Sequence, residues 1–226
     1  MADSHNKGEE PDLAALVRQV EEGLLPKLEL ESIAPHDPVV VRHLPKPWKL
    51  LGAGNYAAVM THPDFFRLVV KVYAPGRPGL EDETEVYRRL GRHAAYSECY
   101  HTGKGYLILR RLSGVTLYNC LLRGIPIPRQ VICDIDAALA YARERGLNPT
   151  DVHGKNVMLQ DGRGIVVDVS DFLEEEPCSM WDDLKKAYDR FYFPFLHHLP
   201  IPEFLLTAVR KGYRWLGRRG CFRMHS

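Results

Sequence analysis

The chain has 226 residues, 45% of them hydrophobic, and its 30 basic and 29 acidic side chains leave a formal charge of +1. That composition excludes a wholly disordered chain and a global field steering it toward nucleic acid or membrane. The length allows one large domain or two small lobes sharing a cleft. The five cysteines, at 99, 120, 133, 178 and 221, form no C-x-x-C pair. This argues against a disulfide framework or structural zinc site and points to reduced thiols.

Residues 1–10 are polar with no apolar h-region, so no signal peptide is expected. The longest apolar runs, such as Ile165–Val167, are far too short to span a bilayer. The expected compartment is cytoplasmic. Residues 12–31 place Leu13, Leu16, Val17, Val20, Leu24 and Leu28 at helical spacing, with Pro26 near the end. Its polar face is acidic, so it reads as a helix that packs on a core. Residues 34–47 hold four prolines and read as an extended linker.

The texture then changes. Trp48–Leu51, Tyr56–Met60, Leu68–Tyr73 and Tyr106–Leu109 are short β-branched or aromatic runs, expected as strands of an antiparallel sheet. Leu80 to Gly91 reads as a helix closed by its glycine. From Pro128, Val131, Ile132, Ile135, Leu139 and Tyr141 predict another helix before Gly146. Two short strands are expected around Val157–Leu159 and Ile165–Val167, with mostly helix from Trp181. The organisation is α+β: residues 1–46 an N-terminal helical extension and linker, 47–112 a β-rich lobe, 113–226 an α-rich lobe. Ligands commonly bind between two such lobes.

Five features carry chemistry. Leu51-Gly52-Ala53-Gly54-Asn55-Tyr56-Ala57-Ala58-Val59 joins two strands through glycines that let backbone amides approach phosphates. It has neither the strand-to-helix context of a Rossmann turn nor the G-K-[ST] of a Walker loop. Lys71 sits in an apolar strand, where it either meets an anion or protrudes from a sheet edge. Glu85, in the helical run, could supply a carboxylate partner, whereas Glu81, Asp82 and Glu83 fit a solvated acidic face. Asp151-Val152-His153-Gly154-Lys155-Asn156 offers a base and a metal ligand five residues apart on a loop. Asp168 follows the apolar Ile165–Val167. Taken singly, loop aspartates are usually turn formers or caps.

In this order the five resemble the signature set of protein kinases over roughly residues 48–200, with Gly105–Gly114 similar to the strand and hinge that join kinase lobes. The resemblance implies a protein-kinase-like bilobal fold, a small antiparallel-sheet N-lobe and a truncated helical C-lobe. It implies that Gly52, Gly54 and Val59 contact ATP. Lys71 would bind its α- and β-phosphates, held by Glu85. Asp151 would take the acceptor's proton, and Asn156 and Asp168 would hold Mg²⁺.

The departures matter too. Ala57 replaces a third glycine. Pro149-Thr150 replaces the arginine that reads a phosphorylated activation loop, Ser170 replaces the glycine of D-F-G, and no A-P-E is present. His153, giving D-x-H-x-x-N, looks more like aminoglycoside, choline and lipopolysaccharide-sugar kinases. It could brace the loop backbone or touch substrate. About a dozen residues separate Asp168 from Trp181-Asp182-Asp183, a compression similar to RIO-type and short bacterial serine/threonine kinases. Asp182 or Asp183 would brace the catalytic loop.

The expected function is ATP-dependent transfer to a hydroxyl, as an atypical serine/threonine protein kinase. A small-molecule kinase and a nucleotide-binding pseudokinase are the alternatives. Residues 210–226 hold Arg210, Lys211, Arg214, Arg218, Arg219 and Arg223 without an acidic residue, interleaved with Tyr213, Trp215 and Phe222. They read either as a solvated helix end or as a site for an acidic partner, nucleic acid or phospholipid, and Glu174–Glu176 is a possible partner within the chain.

Overall fold

The computed structural model describes residues 13–34, 37–176, 178–196 and 198–215. Two compact units emerge, one from residues up to Leu80 together with Cys99–Arg111, the other from Glu81–Glu98 and Leu112 onward.

The first unit opens with helix α1 (Leu13–Arg18), which continues through a π-type turn (Gln19–Leu24) and a 3₁₀ turn (Leu25–Lys27) containing Pro26. Proline tolerates this place because the first turn of a helix leaves its amides unpaired. The strand β1 (Glu29–Glu31) then pairs antiparallel with β2 (Val40–His43). Residues 34–47 are therefore partly strand. The Arg77 guanidinium holds the intervening turn, donating to the Ser32 hydroxyl and the Ala34 carbonyl, each at 2.6 Å.

A five-stranded antiparallel sheet follows, of strands β3 (Lys49–Ala53), β4 (Ala57–Thr61), β5 (Leu68–Tyr73), β6 (Cys99–Gly103) and β7 (Tyr106–Arg110). The order across the sheet is β3-β4-β5-β7-β6. Ala58, Met60, Val70, Val72 and Ile108 form one buried face, and they share a single apolar cluster with Leu16, Val20, Leu24 and Val39. The N-terminal helix thus covers one face of this sheet.

In the second unit, α2 (Leu80–Leu90) ends at Gly91, whose φ of 60° suits a residue without a Cβ. Strand β8 (Val115–Thr116) leads into α3 (Leu117–Arg123), capped by the Thr116 hydroxyl, which accepts from the Asn119 amide at 3.2 Å. The longest helix, α4 (Arg129–Arg143), buries Val131, Ile135, Ala138, Leu139 and Ala142 at helical spacing. Strands β9 (Val157–Gln160) and β10 (Arg163–Val166) form a hairpin, with β9 also pairing to β8. Asp161 and Gly162 turn the hairpin with φ of 51° and 76°, as a tight two-residue turn demands.

Strand β10 lies directly on α4: a Cβ placed on Gly164 would sit 2.6 Å from the Val131 carbonyl oxygen. Asp134 of α4 locks the contact, accepting two bonds from Arg163 at 2.8 Å and one from the Gly164 amide at 2.9 Å. The Arg163 guanidinium holds the Asp134 carboxyl well below the usual carboxylate range. Next come α5 (Met180–Ala187), a π-type segment (Tyr188–Leu196) interrupted by Pro194, and α6 (Glu203–Trp215). The Asp136 carboxylate of α4 accepts from Trp181 Nε1 and Lys185 Nζ of α5, both at 2.8 Å.

Strands β1, β2, β6 and β8 and helix α3 were not foreseen in the sequence, being short and without a clean period. The thiol expectation is corrected at one position. Cys178 is disulfide-bonded, whereas Cys99, Cys120 and Cys133 are free. Residues 1–10, Cys221 and the basic residues beyond Trp215 lie outside the described residues.

Leu16 is 1% exposed, so Leu16→Ala leaves a cavity under the sheet. A loss of about 2–5 kcal/mol is expected by urea denaturation. A loss under about 0.5 kcal/mol, the size of a surface substitution, would show that the helix is not part of this core.

Candidate functional site

In the first unit the strand register aligns three of the predicted residues. Gly52 of β3 pairs with Val59 of β4, and Val59 pairs with Lys71 of β5. Directly opposed residues point to the same face of a sheet, so the three form one row across it. Their neighbours Ala58, Met60, Val70 and Val72 fill the opposite, helix-covered face. Strand β5 is the central strand, so Lys71 is not an edge lysine. Its ammonium lies 5.7 Å from the centre of the Tyr73 ring, two residues along the same face.

The two loop glycines stand apart from the others. Neither has a positive φ. A Cβ on Gly52 would meet no protein atom within 4 Å, and one on Gly54 only the Ala57 carbonyl oxygen at 3.9 Å. Packing and backbone conformation therefore leave both positions open to a larger residue.

Helix α2 distributes its acids differently from the sequence expectation. Glu83 is 1% exposed, so it does not belong to a solvated face; Glu81 and Asp82 are exposed. A carboxylate this deep requires a partner, and Glu83 is not without one. Glu85, the residue singled out in the sequence, accepts two bonds from Arg88 at 2.6 and 2.8 Å and one from Arg89 at 2.7 Å. Those hydrogen bonds lower its pKa to about 2. The sequence carried a signal for Glu83. With Val86, Tyr87 and Leu90 it forms an i, i+3, i+4, i+7 stripe, and all four are buried.

The second unit brings Asp151, Asn156 and Asp168 together. The hairpin β9–β10 has Asn156 at one end and Val167-Asp168 at the other. The Val167 amide donates to the Asn156 carbonyl at 2.8 Å, which holds those ends side by side. Buried Val152 and Val169, 2% and 1% exposed, anchor the residues next to Asp151 and Asp168. A second lacing joins residues 148–150 to the segment after Asp168. The Asn148 amide donates to the Phe172 carbonyl at 2.8 Å, and the Thr150 hydroxyl to that of Asp171 at 2.5 Å. The Asn148 side chain donates to the Glu174 and Glu176 carbonyls at 2.7 and 3.0 Å.

Within this loop, Asn156 Nδ2 donates to the Asp151 backbone carbonyl and carboxylate, each at 3.1 Å. Asp151 itself has a φ of 52°, a left-handed conformation uncommon for a residue with a Cβ and usually found where surroundings enforce it. Burial, with Asp171 and Asp168 adding like charge, pushes the Asp151 carboxyl up to about 7. Asp171 was not foreseen. His153 Nε2 lies 3.8 Å from Asp151 Oδ2, while its Nδ1 accepts from the Lys155 amide at 3.3 Å. Burial lowers the His153 pKa, so the imidazole is held neutral. The Ser170 amide, in place of the D-F-G glycine, donates to Asp168 Oδ1 at 3.2 Å.

Two aspartates were candidates to brace this loop. Asp182 is 60% exposed and pairs with Lys185 at 3.2 Å. Asp183 is only 13% exposed and accepts from the Ser179 hydroxyl at 3.1 Å. Burial leaves Asp183 as the candidate.

Asp168 and Asn156 lie at the two ends of the hairpin, and the Asn156 side-chain nitrogen donates to Asp151, which leaves its side-chain oxygen for a cation. This donor set fits Mg²⁺, which takes one or two protein carboxylates and completes its shell with phosphates and water. Among the described residues no group of three His, Cys, Asp or Glu could hold a metal by itself.

A sequence relationship places the chain in the protein-kinase-like superfamily, with its fold. A Bacillus subtilis (strain 168) protein named "Putative serine/threonine-protein kinase YrzF" is 34% identical over 168 residues, 73% of this chain and 78% of that protein. The kinase domain of Mycobacterium tuberculosis PknI aligns with a TM-score of 0.43 at 23% identity, over 65% of each chain, so this chain spans just under two thirds of it. No family model matches. No described helix is long and apolar enough to cross a membrane.

The raised Asp151 pKa has a sign. The folded chain binds a proton more tightly than the unfolded one, whose aspartates titrate near 3.9. The group therefore favours folding below about pH 4, and that contribution is lost as pH rises to about 7. In the absence of Mg²⁺, Asp151→Asn should stabilise the protein at pH 8 relative to pH 4.5. About 1–2 kcal/mol is expected, with the partial exposure of the group discounted. Equal effects of the substitution in denaturant melts at both pH values would refute the raised pKa.

Proposed function

We propose that the chain transfers the γ-phosphate of ATP to a hydroxyl, acting as an atypical serine/threonine protein kinase. The observation that carries this reading is the loop in which Asp151 is bonded to Asn156 and held beside Asp168, with the Asp151 carboxyl at about 7. A base poised near the working pH is the one best matched to proton transfer.

The glycines support the nucleotide assignment. Gly52 and Gly54 answer no need of the fold, which is what close approach of a phosphate would require. Lys71, in one row with Gly52 and Val59, would bind the α- and β-phosphates. Glu85, expected from the sequence to hold this lysine, has its oxygens engaged by Arg88 and Arg89, and Glu83 is the buried carboxylate of the same helix.

In the reaction, Asp151 orients the acceptor hydroxyl and takes its proton as the oxygen bonds to the γ-phosphorus. The bond to the β–γ bridging oxygen breaks in line, and ADP leaves with the electron pair. Mg²⁺, which Asp168 and the Asn156 side-chain Oδ1 would hold, would neutralise charge on the phosphates. The protein's share is positioning and a preorganised field.

One observation favours a second reading, a small-molecule kinase on the same fold. Neutral His153 lies beside Asp151. The segment from Asp168 to α5 is short and anchored through buried Val169 and Phe172, which leaves little chain for a peptide platform. Labelled ATP with Mg²⁺ separates the readings. Transfer to the protein itself or to a generic protein supports the first, and transfer only to small hydroxyl compounds the second. The absence of nucleotide binding, with no shift of melting temperature at millimolar ATP-Mg²⁺, would reject both.

Asp151→Asn should spare ATP binding and lower turnover by about 10²- to 10⁴-fold. Asp168→Asn should weaken Mg²⁺-dependent nucleotide binding as well. Glu83→Gln should reduce turnover at least about tenfold more than Glu85→Gln, measured with thermal melts of both variants. The reverse ranking would return the role to Glu85.

A further inference from the structure

Helix α6 has an unusual division of its surface. Helical spacing groups positions 204, 205, 208, 209 and 212, occupied by Phe, Leu, Ala, Val and Gly. It groups 207, 210, 211 and 214 on another side, occupied by Thr, Arg, Lys and Arg. In a globular protein the apolar stripe of such a helix is the one that packs. Here it stays uncovered: Phe204 and Val209 are each 70% exposed and Leu205 46%. The approach to the helix is similar, with Phe195 72% and Leu199 55% exposed. A patch of this kind marks an interaction site.

The start of α6 is nevertheless tied down. The Ile201 amide donates to the Leu121 carbonyl at 2.8 Å, and the Tyr118 hydroxyl to Glu203 at 3.3 Å. Gly124 packs closely on Pro200, and a Cβ there would come within 3.0 Å of the Pro200 nitrogen. The helix is therefore presented from a fixed base on α3.

We propose that α6 is an interfacial helix that seats the protein on an anionic lipid surface, its apolar stripe entering the headgroup boundary. Charge selects this occupant. After Glu203 the chain carries no acidic residue, whereas Arg210, Lys211, Arg214, Arg218, Arg219 and Arg223 follow. A second copy would bring like charges together. A nucleic acid would use the cations and leave the apolar stripe wet. An anionic bilayer uses both at once, since apolar side chains insert while basic ones meet the headgroups. Thirteen helical residues extend about 20 Å, suited to lying in the interface and too short to cross it. This inference is independent of the phosphotransfer reading.

The test is co-sedimentation of the full chain with vesicles of phosphatidylcholine alone or with about a third phosphatidylserine. Binding to the anionic vesicles should exceed that to neutral ones by at least about tenfold and fall in high salt. Replacing Phe204, Leu205 and Val209 together by Ser should abolish it, and so should Arg210→Glu with Lys211→Glu, which leaves the apolar stripe intact. Both variants should melt like the parent, since Phe204, Leu205, Val209 and Lys211 are exposed. Equal binding to both vesicle types, no binding, or binding unchanged in either variant overturns the proposal. So does a sedimentation-velocity dimer that the Ser variant dissolves, or capture of an oligonucleotide without vesicle binding.

Discussion

The site of the second unit depends on one backbone hydrogen bond, from the Val167 amide to the Asn156 carbonyl at 2.8 Å. It extends the β9–β10 pairing by one step past the last strand residues. Without it, Asn156 and Asp168 would be the loose ends of two loops. With it, the backbone at Asn156 and at Val167-Asp168 lies side by side. The hairpin is in turn held to α4 by Asp134 and by the absence of a side chain at Gly164. Helix, hairpin and loop thus form a chain of support in which each member fixes the next.

The electrostatics follow from that geometry. Asp151, Asp168 and Asp171 are brought onto neighbouring stretches of backbone by the lacing of residues 148–150 to 171–176. Repulsion and burial raise the Asp151 carboxyl, while the donated Asn156 bond works in the opposite direction and does not cancel them. Partial burial also keeps His153 neutral. A carboxylate with a raised pKa and an imidazole with a lowered one are thus side by side, a common arrangement at acid–base sites. A divalent cation bound nearby would lower the carboxylate pKa again.

The first unit shows the same economy in a different form. A single register, Gly52 to Val59 to Lys71, sets the glycine and the lysine on one face of the sheet, because facing residues of an antiparallel pair share a side. The opposite face belongs to the N-terminal helix, whose Leu16, Val20 and Leu24 complete the core. The sheet can therefore leave its lysine face for a ligand and still bury enough apolar surface on the other. The segment 13–43, which reads as an extension in the sequence, is structurally part of this unit.

Much of this was legible in the residues. Leu68–Tyr73 and Leu80–Leu90 are periodic enough to declare strand and helix, and the order of Gly52, Lys71, Asp151, Asn156 and Asp168 points to phosphotransfer before any coordinate is known. Local pattern reaches that far because propensity and motif spacing are local properties. It does not reach the choice between Glu83 and Glu85, which have the same chemistry two positions apart. Rotation of α2 buries Glu83, and the spacing of Arg88 and Arg89 captures Glu85. Nor does it reach Asp171, whose effect on Asp151 arises from loops that meet only when folded. The central place of β5, which removes Lys71 from the edge, is likewise a fact of topology. The sequence by itself determined the family resemblance, the main strands and helices, and the order of the candidate residues along them. Only the tertiary structure decided which of two like charges is buried and which residues become neighbours, because burial and distance are set by packing between segments remote along the chain.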